Sequence, residues 1–355
     1  AKDPRTINLL HKGVIDAGFR LQNWGYQMGK KFRLGTKKQK AAPKTTVGAA
    51  PIKEQVVHFI NRPLPRNVPI KTARALLGVE DNKTVPIIRN PALPEDSEAV
   101  FYFPGCGSER LFSQVGLATQ AMLWHAGVQT VLPPGYLCCG YPQDAGGNAT
   151  KAEEMTTENR VLFHRVANTL NYLDIKTVVV SCGTCYDQLE KYRFEEIFPG
   201  CRMIDIHEFL LEKGIKLDGV TGQQYLYHDP CHSPIKTTNA TALTGQLMGQ
   251  EVLLSDRCCG ESGMFAVKRP DIATQVKFRK QEEIEKNKAA LPPGEPVKML
   301  TSCPACLQGL SRYSDDNAMP ADYIVVEMAK HILGEQWQND FVKKATEGGI
   351  EKVLL

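Results

Sequence analysis

Ten of the eleven cysteines in this 355-residue chain follow one pattern that occurs twice. The first copy has the form C-x31-CC-x42-C-x2-C, and the second has the form C-x26-CC-x43-C-x2-C. The first copy consists of Cys106, Cys138, Cys139, Cys182 and Cys185. The second consists of Cys231, Cys258, Cys259, Cys303 and Cys306, and Cys201 stands outside both. An internal repeat of this kind predicts two structural units of the same design.

Each cysteine group follows a short β-rich run. The runs lie at 99–103, 129–132, 177–180, 224–227, 251–254 and 297–300. Between them, apolar residues spaced by three and four, from 111 to 122 and from 162 to 173, indicate amphipathic helices. The alternation predicts an α/β fold with mainly parallel sheets. Loops after the carboxyl ends of parallel strands line one edge of a sheet, so we expect the thiols of each copy to converge there.

The first 53 residues carry a strong positive charge. They contain twelve Lys and Arg against two acidic residues, a balance of +10, so the remainder sums to −6 within a net charge of +4. Prolines are frequent from 43 to 94. We therefore predict a basic, Pro-rich extended arm and linker at 1–95, with a short helix near 70–77, followed by domains at 96–222 and 223–355.

The basic arm fits an acidic partner surface or anionic lipid, or it is simply a solvated extension. We expect no nucleic-acid partner, because Phe32 is the only aromatic residue in the densest basic stretch that could stack on bases. Apolar residues make up 42% and charged residues 23%, which excludes collagen-like, disordered and coiled-coil chains.

The sequence lacks an apolar run of about 18 residues and a signal peptide at its start, so we predict a cytoplasmic protein. Contact with the inner face of a membrane through the arm stays open. The chain begins with Ala1, so we expect either processing or a longer polypeptide.

Clustered cysteines in a reducing compartment usually bind metal or carry out redox chemistry. A zinc site takes four ligands, with its two pairs usually about 20 residues apart, but 117 residues separate Cys185 from Cys303. A thioredoxin-like site at Cys182 and Cys185 leaves the adjacent pairs unexplained. Inert buried cysteines do not explain the repetition.

Iron–sulfur clusters are held by thiolates, and four suffice for a cubane. Each copy offers five, including an adjacent pair followed by Gly140 or Gly260, which allow the backbone to turn. An adjacent pair could bind two irons, or one thiolate could bridge two irons, so the pattern suggests a cluster that is not a plain cubane. Helices starting at Cys185 and Cys306 would direct positive dipole ends toward it.

At these residues the sequence resembles the CCG cysteine-rich domain family. This family occurs in heterodisulfide reductase and in the iron–sulfur subunits of glycolate oxidase, lactate-utilisation and anaerobic glycerol-3-phosphate dehydrogenase systems. The similarity covers about residues 99–335. It implies two tandem pseudo-symmetric α/β domains, each holding a non-cubane [4Fe-4S] cluster through its five cysteines.

Two departures from the family bear on its function. The spacing after Cys231 is 26 residues, against 31 after Cys106, so the second site is expected to differ in shape. Many relatives also carry a C-x2-C-x2-C-x3-C-P run that this chain lacks. Electrons are therefore expected from another subunit or another part of a longer chain.

We predict an iron–sulfur electron-transfer subunit or module of a flavin-dependent oxidoreductase of the 2-hydroxy-acid type. The predicted partners are a flavoprotein subunit or domain and a ferredoxin-type donor or acceptor, with quinone as a further acceptor. The sequence has no G-x-G-x-x-G loop or P-loop, so we expect no flavin or nucleotide within these residues. The alternatives are a cluster-based disulfide reductase and a non-redox zinc scaffold.

Several polar residues flank the cysteines. His228, Asp229 and His232 surround Cys231, and one of them is either a proton donor beside a cluster or, as we favour, part of a hydrogen-bonded turn. Tyr141, Asp144 and Glu261 beside the adjacent pairs leave the same two interpretations. We interpret Cys201 as a structural cysteine.

Overall fold

The protein is described by a computed structural model that covers residues 71–261, 265, 269–313 and 317–355, together with Leu21, Trp24 and Met28. Residues 1–70 of the predicted arm, which include its basic part, lie outside the described residues apart from these three positions. Among the described residues, no helix has both the length and the apolar character needed to cross a bilayer.

The strands in chain order are β1 (Thr84–Ile88), β2 (Ala99–Phe103), β3 (Gln129–Val131), β4 (Thr177–Val180), β5 (Arg202–Asp205), β6 (Gln224–His228), β7 (Leu253–Leu254), β8 (Val297–Thr301), β9 (Ala321–Tyr323) and β10 (Ile350–Leu354). The helices are α1 (Ala73–Leu77), α2 (Ser113–His125), α3 (Tyr141–Asp144), α4 (Ala149–Thr169), α5 (Gly183–Leu189), α6 (Phe194–Ile197), α7 (Ile206–Glu212), α8 (Ala240–Met248), α9 (Pro270–Ala290), α10 (Pro304–Leu310), α11 (Ile324–Leu333) and α12 (Trp337–Thr346). A short π-helix spans Gly107–Leu111.

Two sheets share one strand order. In the first, β3, β2, β4 and β5 are neighbours in that order and parallel. In the second, β7, β6, β8 and β9 repeat the arrangement, again parallel. In each sheet the first strand of the unit therefore lies between its second and third. This confirms the predicted α/β fold with two repeated, mainly parallel units.

Local sequence explains several of these elements. All five residues of β2 are buried, as expected for a strand covered on both faces. Side-chain oxygens of Thr72, Asn148, Asp205 and Asn239 accept hydrogen bonds from backbone N–H groups in the first turns of α1, α4, α7 and α8. These caps satisfy donors that the helix itself leaves free. The residue types at these four positions therefore explain where the helices begin.

The two units share a hydrophobic core. One cluster of buried residues includes Val100 of β2 and Leu123 of α2 together with Tyr227 of β6 and Val325 of α11. Because α2 packs against α11, apolar residues of both units leave water together. The units consequently form one packed body.

The domain limits 1–95, 96–222 and 223–355 stay a prediction, but two strands differ from it. β1 lies within the predicted linker and belongs to the first sheet, and β10 lies within the predicted second domain and pairs with β1. Proline within a strand removes one N–H donor. Pro86 lies opposite Leu132, just beyond β3, so the loss falls at the end of the β1–β3 pairing. This placement explains why a Pro-rich segment still forms a strand.

Candidate metal centres

The ten repeated cysteines follow the carboxyl ends of strands. Cys106 follows β2, Cys138 and Cys139 follow β3, and Cys182 and Cys185 lie at the start of α5 after β4. The second copy follows β6, β7 and β8 in the same way, with Cys303 and Cys306 at the start of α10. The topology thus brings both groups to equivalent edges of the two sheets.

Nine of the ten thiols form one unbroken series of contacts. In order, the thiols that shift the pKa of their neighbours are Cys106, Cys138, Cys139, Cys185, Cys182, Cys303, Cys306, Cys259 and Cys258. The sulfurs of Cys259 and Cys306 are 3.4 Å apart. The link between the two copies is the contact of Cys182 with Cys303. We call the five cysteines of the first copy the first centre and those of the second copy the second centre.

The first centre is enclosed. Cys139, Cys182 and Cys185 are buried, and Cys106 and Cys138 are half-buried. Gly105 adopts a φ of 65°, and a Cβ there would lie 2.6 Å from the Cys185 sulfur. Gly140 also has a positive φ, 95°, directly after the adjacent pair. Gly105 lets the backbone approach the Cys185 thiol, and Gly140 lets the backbone turn after the adjacent pair, as the sequence predicted.

Neighbouring thiols shift one another's pKa in opposite directions. The Cys106 thiol donates to Cys138 and, with the Cys139 thiol, lowers the pKa of Cys138 to about 3; the nearby Arg110 guanidinium also favours that thiolate. The hydrogen bond to Cys138 and burial raise the pKa of Cys106. Adjacent thiolates repel, so a cluster of thiols ionises fully only when positive charge enters it. A metal centre supplies that charge, and the donor set fits one.

The second centre is more open. Cys259, Cys303 and Cys306 are buried, but Cys231 and Cys258 are exposed. The backbone N–H of Gly260 donates to the Cys258 sulfur at 3.3 Å. Cys231 interacts with Cys258 through charge and is outside the series of thiol contacts. The structure therefore brings four of the five predicted residues of this copy together and leaves Cys231 at the surface.

A buried histidine lies beside the second centre. A ring nitrogen of His228 and the sulfurs of Cys259 and Cys306 all lie within 4.8 Å of one another. The ring also faces Lys280 of α9, whose Nζ is 3.2 Å from His228 Nδ1. Lys280 is fully buried. Sequence reasoning missed this lysine, because it lies among many charged residues of a long polar helix.

The joint between the centres is held by tyrosines. Tyr102 of β2 hydrogen-bonds with the Ser181 hydroxyl at 2.7 Å, and Tyr227 of β6 makes the equivalent bond with Ser302 at 3.0 Å. The Tyr323 hydroxyl lies 2.5 Å from the Ser181 carbonyl oxygen and 2.6 Å from that of Ser302. Since Ser181 and Ser302 directly precede Cys182 and Cys303, one phenol fixes both backbones at the point where the copies meet.

The polar residues that flank the cysteines make hydrogen bonds. His232 Nε2 and the Tyr141 hydroxyl are 3.0 Å apart, and His232 Nδ1 pairs with Asp187 of α5. Asp229 accepts from Tyr227 at 3.1 Å, Glu261 accepts from Gln308 at 3.1 Å, and Asp144 pairs with Lys191. Cys201 is half-buried, and burial raises its pKa to about 11. These contacts agree with the hydrogen-bonding interpretation of the flanking residues, and His232 joins the two units.

The same cysteine arrangement is found in a known family. A model described as "Cysteine-rich domain" (CCG) matches residues 100–190 and 225–311, together half of the chain. The chain belongs to the CCG cysteine-rich domain family. Each CCG match contains all five cysteines of one copy of the repeat. Residues 311–355 match a domain of unknown function (DUF3400).

Curated relatives of this CCG-family chain carry iron–sulfur and reductase names. An uncharacterized iron-sulfur protein of Methanococcus maripaludis is 24% identical over 70% of this chain and 51% of its own length. A subunit of the fumarate reductase (CoM/CoB) of Methanothermobacter marburgensis is 29% identical over 58% of the chain and 40% of its length. A probable glycolate oxidase iron-sulfur subunit of Bacillus subtilis is 24% identical over 61% and 50%. The CCG chain spans about half the length of these relatives.

Proposed function

We propose that this chain is the iron–sulfur electron-transfer component of a flavin-dependent oxidoreductase. The observation that carries the proposal is the continuous series of nine thiols across two equivalent sheet edges. Zinc needs four ligands, whereas this series supplies more than twice that number. The first centre would hold one [4Fe-4S] cluster through its five cysteines, and the second centre would hold another, with Cys231 as its predicted fifth ligand. When bound, such clusters accept and release single electrons.

The joint between the centres supports transfer from one to the other. Cys182 and Cys303 shift each other's pKa in opposite directions, so predicted ligands of the two centres are neighbours. Tyr323 and the two serine carbonyl groups hold this contact in place. A rigid, buried joint keeps the separation of the two centres constant and keeps water out of the space between them.

The partners and substrate are part of the proposal. The name of the relative from Bacillus subtilis, a probable glycolate oxidase iron-sulfur subunit, supports a 2-hydroxy acid as the source of electrons. The flavin would lie on a partner subunit or on another part of a longer chain, and a ferredoxin-type protein would exchange electrons with the centres. Quinone and a membrane surface are the further proposed contacts.

A second candidate function is reduction of a disulfide substrate. The observation that favours it is the exposure of Cys231 and Cys258, which opens the second centre to solvent. A substrate disulfide could approach from this side, whereas the first centre is enclosed. Oxidation of the reduced protein by small disulfides, but not by other mild oxidants, would support this candidate.

The test is metal analysis of protein purified without oxygen. We expect about eight irons and eight sulfides per chain, the sum of two four-iron clusters, with little zinc. Cys139→Ala and Cys259→Ala should each remove about four irons, whereas Cys201→Ser, the matched control outside both centres, should remove none. Zinc with negligible iron would overturn the proposal.

A further inference from the structure

The residue that ends the first strand of each unit differs between the two centres. Phe103 ends β2 and His228 ends β6, and each lies three residues before the first cysteine of its copy. Both side chains are buried, at 1% and 2% exposure. A phenyl ring therefore lies beside the first centre at the position where the second centre has an imidazole.

A second exchange lies on the helix that covers each strand. α4 and α9 both have 21 residues, and the eleventh is Asn159 in one and Lys280 in the other. Asn159 donates to the Cys138 carbonyl oxygen at 2.9 Å. Lys280 Nζ instead donates to the carbonyl oxygens of Ser255 at 2.6 Å and Asp256 at 2.5 Å and lies 3.0 Å from the Ser255 hydroxyl, and it also faces His228 Nδ1 at 3.2 Å. The phenylalanine and asparagine of the first unit are thus exchanged together for histidine and lysine.

The lysine fixes the proton of the imidazole. An ammonium group has only donors, so the His228 Nδ1 that faces it acts as an acceptor and the ring proton sits on Nε2. Burial lowers the pKa of Lys280 to about 8, which leaves the ammonium as its main form at neutral pH. A histidine that binds metal normally donates its other ring N–H to an acceptor, and here that nitrogen faces a donor. The pair is therefore arranged for donation from Nε2 and not for metal ligation.

The Nε2 atom needs an acceptor. It is buried and has no close acceptor within the described part of the chain, but the His228 ring does interact with the Cys259 thiol, whose pKa it lowers. A buried N–H without a partner is costly, by about 1–3 kcal/mol. The sulfurs of Cys259 and Cys306, which lie within 4.8 Å of a ring nitrogen of His228, are the candidate acceptors beside the ring.

We propose that His228 donates a hydrogen bond from Nε2 to a sulfur of the second centre and thereby raises the reduction potential of that centre. Lys280 is the positioning residue that orients the His228 ring. The inference rests on the proposed function, because it requires a cluster at the second centre. A hydrogen bond to sulfur, with a positive charge behind it, stabilises the more negative reduced form. Among the described residues, the first centre has no such donor at the equivalent position, because Phe103 is there.

The experiment is a redox titration of anaerobically purified protein, followed by electron paramagnetic resonance of each centre. The His228→Phe variant places the residue of the first unit at the second centre. We expect it to lower the reduction potential of the second centre by at least about 59 mV, which is a tenfold change in the equilibrium constant for one-electron reduction. Lys280→Asn should act in the same direction. His228→Gln keeps an N–H donor, so its second centre should have a reduction potential between those of wild type and His228→Phe. The reduction potential of the first centre should not change in any variant.

The outcomes separate this inference from the function on which it rests. Wild-type protein without iron would overturn both. Iron at the second centre with an unchanged potential in His228→Phe would overturn the inference alone. Strong coupling of ¹⁵N-labelled histidine to the second centre, or loss of its iron in His228→Gln, would show that His228 is a ligand and would also overturn it.

Discussion

The two centres share strand order and cysteine pattern but differ in what surrounds the sulfurs. The first is enclosed, with Phe103 and Asn159 behind it and Arg110 beside Cys138. The second has two exposed cysteines in front and a buried imidazole and ammonium behind. The repeated fold therefore determines where the thiols lie. The residues that surround the thiols determine how far solvent reaches each centre and which charges lie beside it. Under the proposed function, this difference would give the two centres separate tasks in electron transfer.

The largest change is expected in the free energy of unfolding, for a substitution where the two units meet. A Cβ on Gly183 would lie 1.5 Å from the His232 carbonyl oxygen, whereas a Cβ on Gly107, on the opposite side of the joint, would lie 3.1 Å from Pro304 Cβ. We expect Gly183→Ala to destabilise the protein by about 3 kcal/mol or more and Gly107→Ala by far less. Urea unfolding of both variants measures this. Equal stabilities would show that the two sides of the joint are not packed as described.

The next effect sharpens the contrast between the first cysteines of the two copies. Cys106 is within the series of thiol contacts and Cys231 is exposed and outside it. We expect Cys106→Ala to remove about four irons per chain and Cys231→Ala to remove fewer. Iron analysis of the two variants, with Cys201→Ser as control, measures the difference. Equal losses would mean that the Cys231 loop closes onto the second centre when it is loaded.

A smaller effect is expected at the phenol that both copies share. Tyr323→Phe removes the hydroxyl that faces the Ser181 and Ser302 carbonyl oxygens, so we expect a loss of about 1–3 kcal/mol in unfolding free energy. Tyr186→Phe is the matched control, since its hydroxyl donates to a single carbonyl, that of Met203, at 3.1 Å. A Tyr323→Phe variant as stable as the control would contradict a special role at the joint.

The smallest effect is expected on the pH dependence of stability, at an ion pair that only the first unit makes. Asp187 pairs with His232 and Lys236, whereas the equivalent position of the second unit is Gln308. Burial opposes ionisation, but hydrogen bonds from Lys236 and His232 prevail and hold the pKa of Asp187 below its usual range. A depressed carboxyl pKa contributes stability above the unfolded pKa and loses it as pH falls through the folded pKa.

In Asp187→Asn, the free energy of unfolding should therefore fall less between neutral and acid pH than in wild type. We expect the difference to be less than about 1 kcal/mol, because the ion pair is partly exposed. Unfolding measured between neutral pH and the acid range tests this, with Gln308→Asn as the control on the other unit. A steeper loss of stability in Asp187→Asn than in wild type would contradict the expectation.

Much of the fold follows from local sequence. The six β-rich runs correspond to β2, β3, β4, β6, β7 and β8, and the helical periods correspond to α2 and α4. β5 and β9 were missed, because both are short and neither is a run of apolar residues. β1 and β10 were missed because each gains its hydrogen bonds from a partner far away in sequence, which no local pattern contains.

The convergence of the cysteines could be predicted from the sequence. The residues that surround them could not. The spacing of the cysteines indicated convergence after the strands, and the structure brings nine of the ten together. The Cys182–Cys303 contact depends on how the units pack, and the role of Lys280 depends on which face of α9 is buried. The shorter spacing after Cys231 predicted a difference in shape, and the residue is exposed. That these cysteines are ligands stays a prediction.

The pairing of β1 with β10 sets an order of events during synthesis. Thr84 pairs with Leu354, and at roughly 5–20 residues per second the ribosome needs on the order of tens of seconds to make the chain between them. Until then β1 is the outer strand of its sheet, with backbone groups open to other chains. The second sheet can form during this interval. Until β10 pairs with it, β1 is therefore the edge of the first sheet at which pairing with another chain is favoured.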